Sequence, residues 1–181
     1  VLDVEAPDFD CPDDLIIPND SNSCGAIFTF EAPLASDNCS EDVMVTQTTG
    51  PVSGSLLSIG TTTFSFEGFD AVGNVADCSF DVTVIDNQIP SFLDCPSSIV
   101  IDLATASCDS SIVFEVPTAV DNCGISSVIQ TSGPSSGDPL TAGAYSVEFE
   151  ATDDAGNTAI CAFSIEVNDV SPPIVNCPES F

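Results

Sequence analysis

The stretch TTTFSFEGF at residues 61–69, followed by DAVGN at residues 70–74, decides the fold class of this chain. Apolar and polar residues alternate along it, with Phe64 and Phe66 on one face, and a period of two is typical of a half-buried β-strand. The DAVGN segment predicts a hairpin turn, because Asp accepts backbone N–H bonds and Gly or Asn tolerates positive φ. The same pattern recurs in AYSVEFEATDDAGN at residues 144–157, so the chain contains two copies of one β-structured unit.

The cysteines repeat with the same period. Each copy carries four of them, corresponding members are separated by 82 to 84 residues, and a ninth cysteine begins a third copy. A fixed period of this kind is the signature of domains copied along one chain. The nine are Cys11, Cys24, Cys39, Cys78, Cys95, Cys108, Cys123, Cys161 and Cys177.

Short segments separated by Gly, Pro, Asn and Asp fill each copy, and none has a helical period. This spacing predicts an all-β chain built of β-sandwiches. We expect strands at 15–18, 26–31, 43–47, 61–69 and 79–85 in the first copy, and at 99–103, 111–116, 126–130, 144–152 and 162–167 in the second. The predicted domains are a linker or the end of a preceding repeat at 1–10, a first repeat at 11–88, a second repeat at 89–170 and the start of a third at 171–181.

The charge composition is extreme, with 29 acidic residues and no Lys, Arg or His. Nucleic-acid binding needs basic side chains to neutralise phosphates, so we expect no nucleic-acid partner. The chain lacks histidine general bases and cationic phosphate clamps, so we expect no catalytic residues and no enzyme. No apolar run reaches the ~20 residues of a membrane span, so we expect no direct membrane insertion. The hydrophobic content of 43% is nevertheless enough for a folded core.

Several motifs together resemble the HYR (hyalin repeat) domain, an immunoglobulin-like module, over both full copies. They are Cys-Pro at 11–12 and 95–96, Asp-Asn-Cys at 37–39 and 121–123, Pro-x-Ser-Gly at 51–54 and 134–137, Gly-Thr-Thr-Thr at 60–63, Asp-x-x-Gly-Asn at 70–74 and 153–157, and the late Cys78 and Cys161. The resemblance implies tandem immunoglobulin-like β-sandwich domains in a linear array, in an extracellular protein at the cell surface. The Gln-Thr-x-Gly-Pro phrases at 47–51 and 130–134 are most similar to the giant repetitive surface adhesins of gliding Bacteroidetes.

The cysteines contain no Cys-x-x-Cys spacing and indicate disulfides formed in an oxidising compartment. In an immunoglobulin-like sandwich, the turn after the second strand and the turn before the last strand lie at the same end. This topology predicts the bonds Cys39–Cys78 and Cys123–Cys161 within the repeats. It leaves Cys24 beside the following repeat, so we expect the inter-repeat bonds Cys24–Cys95 and Cys108–Cys177, with Cys11 bonded to a preceding repeat. The alternative is Cys11–Cys24 and Cys95–Cys108 inside each repeat.

Acidic and amide side chains cluster at the same end of the predicted sandwich, and carboxylate and amide oxygens are the ligands that calcium prefers. The linker Asp86-Asn87-x-x-Pro also resembles the linker of cadherin repeats, where calcium stiffens the junctions. The candidate calcium ligands are Asp86, Asn87, Asp121, Asn122, Asp153, Asp154, Asn157, Asp3, Asp37, Asn38 and Asp70. The alternative is that these residues only form turns, with Asp accepting backbone N–H bonds.

These features predict a structural and adhesive segment of a cell-surface filament, with neighbouring repeats of the same chain as partners and a surface polysaccharide or substratum as a further partner. Alternatives are a glycan- or protein-binding module and a spacer attached to a secreted enzyme. A carbohydrate-binding module needs exposed aromatic rings for stacking, and this chain has no Trp and one Tyr, Tyr145.

Overall fold

The computed structural model describes residues 3–39, 42–103, 107–173 and 175. The chain divides into two compact units, Val1–Gln88 and Ile89–Phe181. The described residues form strands, turns and irregular segments, and no helix able to span a membrane occurs among them. The predicted all-β class with tandem immunoglobulin-like sandwiches is confirmed.

The first unit contains eight strands. They are β1 (Asp8–Asp10), β2 (Leu15–Pro18), β3 (Gly25–Phe28), β4 (Leu34–Ser36), β5 (Met44–Thr49), β6 (Ser55–Ser58), β7 (Gly60–Phe69) and β8 (Val75–Ile85). One four-stranded sheet has the order β2-β8-β7-β5, and two-stranded sheets pair β3 with β6 and β1 with β4. β7 and β8 form an antiparallel hairpin, whereas β2 runs parallel to β8.

The second unit repeats this plan with β9 (Ser91–Phe92), β10 (Ile99–Leu103), β11 (Asp109–Ser111), β12 (Ala119–Val120), β13 (Ile125–Ser132), β14 (Pro139–Thr141), β15 (Gly143–Asp153) and β16 (Thr158–Asp169). The large sheet has the order β10-β16-β15-β13, and β11 pairs with β14 and β12 with β9. The edge strand β10 is parallel to β16, as β2 is to β8. The two units therefore share one topology.

The core of each unit lies on the alternating apolar face of its long hairpin. Phe64 and Phe66 of β7 are 1% and 2% exposed, and Phe64 stacks on Phe80 of β8 with ring centroids 5.3 Å apart. Val147 and Phe149 occupy the same positions of β15 and are 0% and 2% exposed. The predicted placement of Phe64 and Phe66 on one apolar face is confirmed, and Val147 and Phe149 repeat it in the core of the second unit.

The entering segment of the first unit belongs to the sandwich. Residues 1–10 were expected to be a linker or the end of a preceding repeat; within them, β1 pairs with β4 in the register Asp8↔Ser36. The ring of Phe9 packs where Gly68 leaves room, because a Cβ on Gly68 would lie 2.9 Å from that ring. A small residue on the long hairpin thus accommodates the strand that enters the unit.

Candidate functional site

A disulfide in the first unit follows from the parallel register of its edge strand. β2 lies against β8 with Leu15 opposite Val82, and extending that register back by four residues places Cys11 opposite Cys78. The two cysteines are bonded, with Cα atoms 5.7 Å apart, inside the ~7 Å that a disulfide can span. The bond therefore ties the start of the unit to its last strand.

The second unit repeats this bond. β10 pairs with β16 with Ile99 opposite Ile165, and the same backward extension places Cys95 opposite Cys161. These cysteines are bonded with Cα atoms 5.6 Å apart. The bond is thus a property of the repeat, set by the parallel pairing of its first and last long strands.

The predicted pairings Cys39–Cys78, Cys123–Cys161 and Cys24–Cys95 are wrong, because the last cysteine of each unit is bonded to the first. The same bonds exclude the alternative Cys11–Cys24 and Cys95–Cys108, as well as a bond from Cys11 to a preceding repeat. The expectation failed because it did not include the parallel edge strand that brings the amino end of the unit to β8. The predicted bond Cys108–Cys177 falls on Cys177, which lies outside the described residues.

The two remaining cysteines of each unit differ in state. Cys24 and Cys123 are disulfide-bonded. In the part of the chain that the structure describes, Cys39 and Cys108 are free and exposed thiols. Desolvation, followed by the negative charges of Asp3 and Asp37, raises the pKa of the Cys39 thiol. Cys39 is therefore protonated at neutral pH and a weak nucleophile on its own.

Three acidic side chains from separate parts of the first unit converge at one end. Asp3 lies in the entering segment, Asp37 follows β4, and Asp70 lies in the turn between β7 and β8. One carboxylate oxygen of each lies within 4.8 Å of the others. A polar depression of about 290 Å³ adjoins them, lined by Glu5, Ala6, Asp8, Ser36, Asp37 and Asn38.

Asp70 also organises its hairpin turn. Its Oδ1 accepts hydrogen bonds from the backbone N–H groups of Val72, Gly73 and Asn74 at 2.9, 2.6 and 2.8 Å. Its Oδ2 accepts one from the side-chain amide of Asn74 at 2.7 Å. Burial raises the pKa of this carboxyl, but the hydrogen bonds from Asn74 and the turn outweigh it and leave the pKa below its usual value. The charged form is therefore the one that stabilises the turn.

Asp153 has the same role in the second unit. Its carboxylate accepts bonds from the backbone N–H groups of Ala155 and Asn157 and from the Asn157 amide, all at 2.8 to 2.9 Å. Here too, burial raises the pKa and the hydrogen bonds more than compensate, so the pKa lies below its usual value. The interpretation of Asp-x-x-Gly-Asn as a hairpin turn is confirmed in both repeats.

The other predicted ligands lie in turns or at the carboxyl end of the first unit. Asp37 and Asp121 each accept the backbone N–H two residues later, which gives the expected Asx turns. The Asn38 amide donates to the carboxylate of Glu5. Asn87 N–H lies 3.4 Å from the side-chain oxygen of Asn19. Asp154 is exposed, Asn157 acts in its own turn as described, and Asn122 directly precedes Cys123.

A second group of polar contacts was missed by sequence reasoning. Asn19 donates its side-chain amide to Asp86 at 2.8 Å, and both residues are buried. Asn22 N–H donates to the Gln88 side chain at 3.0 Å, and that amide donates back to the carbonyl of Asp20 at 3.0 Å. These bonds fasten the turn after β2 to the residues by which the chain leaves the first unit. The one available signal was an Asn among hydrophilic turn residues, which does not identify a partner 67 residues away.

Comparison with known proteins gives one family. The model of the HYR domain matches residues 2–84 and 85–167. Hyalin from Strongylocentrotus purpuratus is 32% identical over 97% of this chain and 15% of its own length. Hyalin from Lytechinus variegatus is 30% identical over 82% of this chain and 28% of its own length. The mouse (Mus musculus) sushi, von Willebrand factor type A, EGF and pentraxin domain-containing protein 1 is 32% identical over 91% of this chain and 4% of its own length. The chain spans less than a third of the length of these curated relatives.

Among solved structures, cadherin fragments align over most of the chain with low similarity. Human protocadherin-24 EC1-2 is 19% identical, with 92% of this chain and 100% of that chain covered and a TM-score of 0.38. Protocadherin gamma B2 domains 3–6 are 14% identical, with 91% of this chain and 51% of that chain covered and a TM-score of 0.41.

Proposed function

Because this chain belongs to the HYR domain family, we propose that it is a non-enzymatic structural and adhesive segment of an extracellular filament or stalk at a cell surface. The setting we propose is an attachment or gliding-motility adhesin whose partners are neighbouring repeats and a substratum or surface polysaccharide. The observation that carries the proposal is that one sandwich occurs twice in tandem, closed each time by the same disulfide.

The position of that disulfide suits a segment that transmits tension. A pull applied at Cys11 passes through the sulfur atoms to Cys78 and continues along β8 to the end of the unit. The residues between the two cysteines are bypassed, so they are not extended while the bond is intact. The same path exists in the second unit through Cys95 and Cys161.

The composition supports exposure outside the cell. Disulfides persist in oxidising compartments and are rare where glutathione keeps thiols reduced. The absence of Lys and Arg also removes every cleavage site for trypsin-like proteases from the sequence. Both properties favour a long-lived extracellular filament.

The location is tested by labelling intact, unpermeabilised source cells with antibodies raised against this chain. We expect label at the surface without lysis, and the label should be removed by gentle shearing if the protein forms a filament or stalk. Labelling only after permeabilisation would refute the proposal. A matched antibody against a cytosolic protein of the same cells controls for leakage.

Calcium binding at the three converging carboxylates is a second proposal. Asp3, Asp37 and Asp70 bring negative charges close together, and the chain contains no basic side chain to neutralise them. Hard carboxylate oxygens are suited to calcium, and Asp70 Oδ2 retains a lone pair beyond its bond to Asn74. Calcium bound there would offset the repulsion and fasten the entering segment to the hairpin turn. Three of the other predicted ligands, Asp86, Asp121 and Asp153, hold the corresponding sequence positions of the second repeat.

Thermal melting with calcium and with a chelator tests this second proposal. A ligand at one hundred times its Kd stabilises the folded state by about 2.7 kcal/mol, so calcium should raise the Tm. We expect Asp3→Asn to reduce the rise and Asp10→Asn, an exposed control with the same charge change, to leave it intact. An identical Tm in calcium and chelator would contradict calcium binding and leave the filament proposal standing.

A further inference from the structure

The first unit contains a long stretch of sequence without charge. Acidic residues make up 29 of the 181 positions of the chain, about one in six, yet residues 43–66 contain none. This uncharged stretch forms β5, β6 and the first part of β7. Two copies of a chain with a formal charge of −29 repel each other over most of their surface. The uncharged stretch is therefore where a second copy can approach with the least repulsion.

Apolar side chains are exposed on this part of the unit. Leu56 of β6 lies directly opposite Ile27 of β3, and each is 61% exposed. Val52, in the loop before β6, is 72% exposed. The next side chain of β6, Leu57, is buried, as expected for a strand that turns alternate residues into the core. The outer face of β6 therefore offers an apolar contact.

Backbone groups of β6 point away from its partner strand. Ile27 N–H donates to the carboxylate of Asp20 at 2.8 Å, so it is directed away from β6. The carbonyl of Gly25 likewise accepts from Asp20 N–H at 2.8 Å. Opposite residues of an antiparallel pair direct their backbone groups either both inward or both outward. The N–H and C=O groups of Leu56 and Ser58, which lie opposite Ile27 and Gly25, therefore point away from β3.

These groups face the edge of a sheet. Among the strands that the structure describes, β6 pairs with β3 alone. The far side of β3 is covered by Asp20, which bonds to it through both its N–H and its carboxylate. The end strand β5 of the large sheet has a register shift between Gln47 and Thr49, and such a bulge twists an edge away from regular pairing. β6 is therefore the edge in this stretch that can accept a further strand.

The corresponding edge of the second unit is protected. β14 pairs with β11 as β6 pairs with β3, and Pro139 stands opposite Ser111 where Leu56 stands opposite Ile27. Proline has no N–H to donate, and proline at an edge strand blocks pairing with another chain. Asp138, directly before it, adds a negative charge. The two repeats therefore differ at the position where a further strand would pair.

We propose that β6 is a self-association edge, at which the first units of two copies of this chain pair antiparallel. A two-fold axis beside Leu57 places Leu56 of each copy opposite Ser58 of the other, so their outward N–H and C=O groups bond to each other. The two Leu56 side chains then lie at diagonal positions on one face, within reach of each other. A contact of this size buries less than about 1,200 Å² and belongs to the weak, transient class. The pairing goes beyond the filament proposal and does not depend on it.

Sedimentation velocity of the oxidised chain tests the pairing. The exposed thiols of Cys39 and Cys108 are alkylated first, so that any dimer is non-covalent. Protein concentrations extend to about 1 mM, which is high enough to populate a weak contact. We expect the sedimentation coefficient to rise with concentration, and to rise further as sodium chloride screens the repulsion between the two copies. A coefficient that stays at the value of the monomer, or association that is lost at higher salt, would overturn the proposal.

Variants at one exposed position show which edge is used. Leu56→Pro gives β6 the residue that β14 carries, and Leu56→Asp places two like charges at the contact, so both should abolish the rise with concentration. Ile160→Asp is the matched control, because Ile160 of β16 is 65% exposed and the charge change is the same. Circular dichroism confirms that each variant is folded. Equal loss of association in Leu56→Asp and Ile160→Asp would refute a contact at β6.

Hydrogen exchange followed by NMR gives a measurement that needs no variant. The N–H groups of Leu56 and Ser58 should exchange more slowly at high protein concentration than in dilute solution. Leu140 and Thr141 of β14 are the internal control and should exchange at the same rate in both. Unchanged exchange at Leu56 and Ser58 in a sample that is dimeric by sedimentation would place the contact elsewhere and overturn the proposal.

Discussion

Replacement of both Cys11 and Cys78 by alanine should destabilise the first unit far more than the loss of one small side chain would. The bond closes a loop with a sequence separation of 67 residues. In the chain-entropy treatment, a closed loop of that length lowers the conformational entropy of the unfolded chain and so raises the free energy of unfolding by about 4 kcal/mol. Domains of this kind are stable by only about 5–15 kcal/mol in total, so the double variant should lose a large part of its stability.

The assay is urea unfolding followed by far-ultraviolet circular dichroism, with the second unit serving as an internal reference. In Cys11→Ala/Cys78→Ala, the unfolding transition of the first unit should move to a much lower urea concentration. The unfolding transition of the second unit should keep its midpoint. Cys39→Ala is the matched control, because it removes an exposed free thiol. A loss below about 1 kcal/mol in the double variant would refute the assignment of this bond as the main covalent support of the unit.

Three further predictions follow from the second unit. Phe149→Ala should cost about 3–5 kcal/mol in the free energy of unfolding, because the ring is fully buried, whereas Ile160→Ala, at a side chain 65% exposed, should cost far less. Gly133→Ala should destabilise more than Gly137→Ala, although both have φ near +90°, because only the former would place a Cβ 2.2 Å from a carbonyl oxygen of β15. The pKa of Asp153 is lower in the folded state than its usual value of 3.8. The stability that its carboxylate contributes to the fold is therefore fully present above pH 3.8 and is lost as the pH falls through the pKa of the folded state. Asp153→Asn should therefore be less stable at neutral pH and less sensitive to acid, and urea midpoints between about pH 6 and pH 2.5 measure the difference; an unchanged acid dependence would contradict this role.

The long strands could be predicted from the sequence because their period is clear. Alternation placed Phe64 and Phe66 correctly, and the predicted strands at 15–18 and 99–103 coincide with β2 and β10. The short strands β1, β4, β6, β9, β12 and β14 were missed, since two to four residues are too few to show a period. The predicted second strand at 26–31 extends beyond β3, and the predicted second strand at 111–116 overlaps β11 at residue 111 alone.

Disulfide pairing could not be derived from the spacing, because it depends on which strands become neighbours. Cys11 meets Cys78 only if β2 is parallel to β8, and parallel partners are distant in sequence. The argument that certain loops lie at the same end of the sandwich was correct for the acidic residues, because Asp3, Asp37 and Asp70 converge at one end of the first unit. The hydrogen bond from Asn19 to Asp86 depends on the same parallel pairing of β2 with β8, so it could not be predicted from the sequence either.

Single-molecule force spectroscopy of the oxidised and reduced chain tests most directly the claim that each repeat transmits tension through its first-to-last disulfide. With the bonds intact, extension should come only from the segments outside the two closed loops. Reduction should release about 67 further residues in the first unit, or roughly 240 Å of contour length at ~3.6 Å per residue, and a similar length in the second. Equal extension of the oxidised and reduced chains would contradict the account.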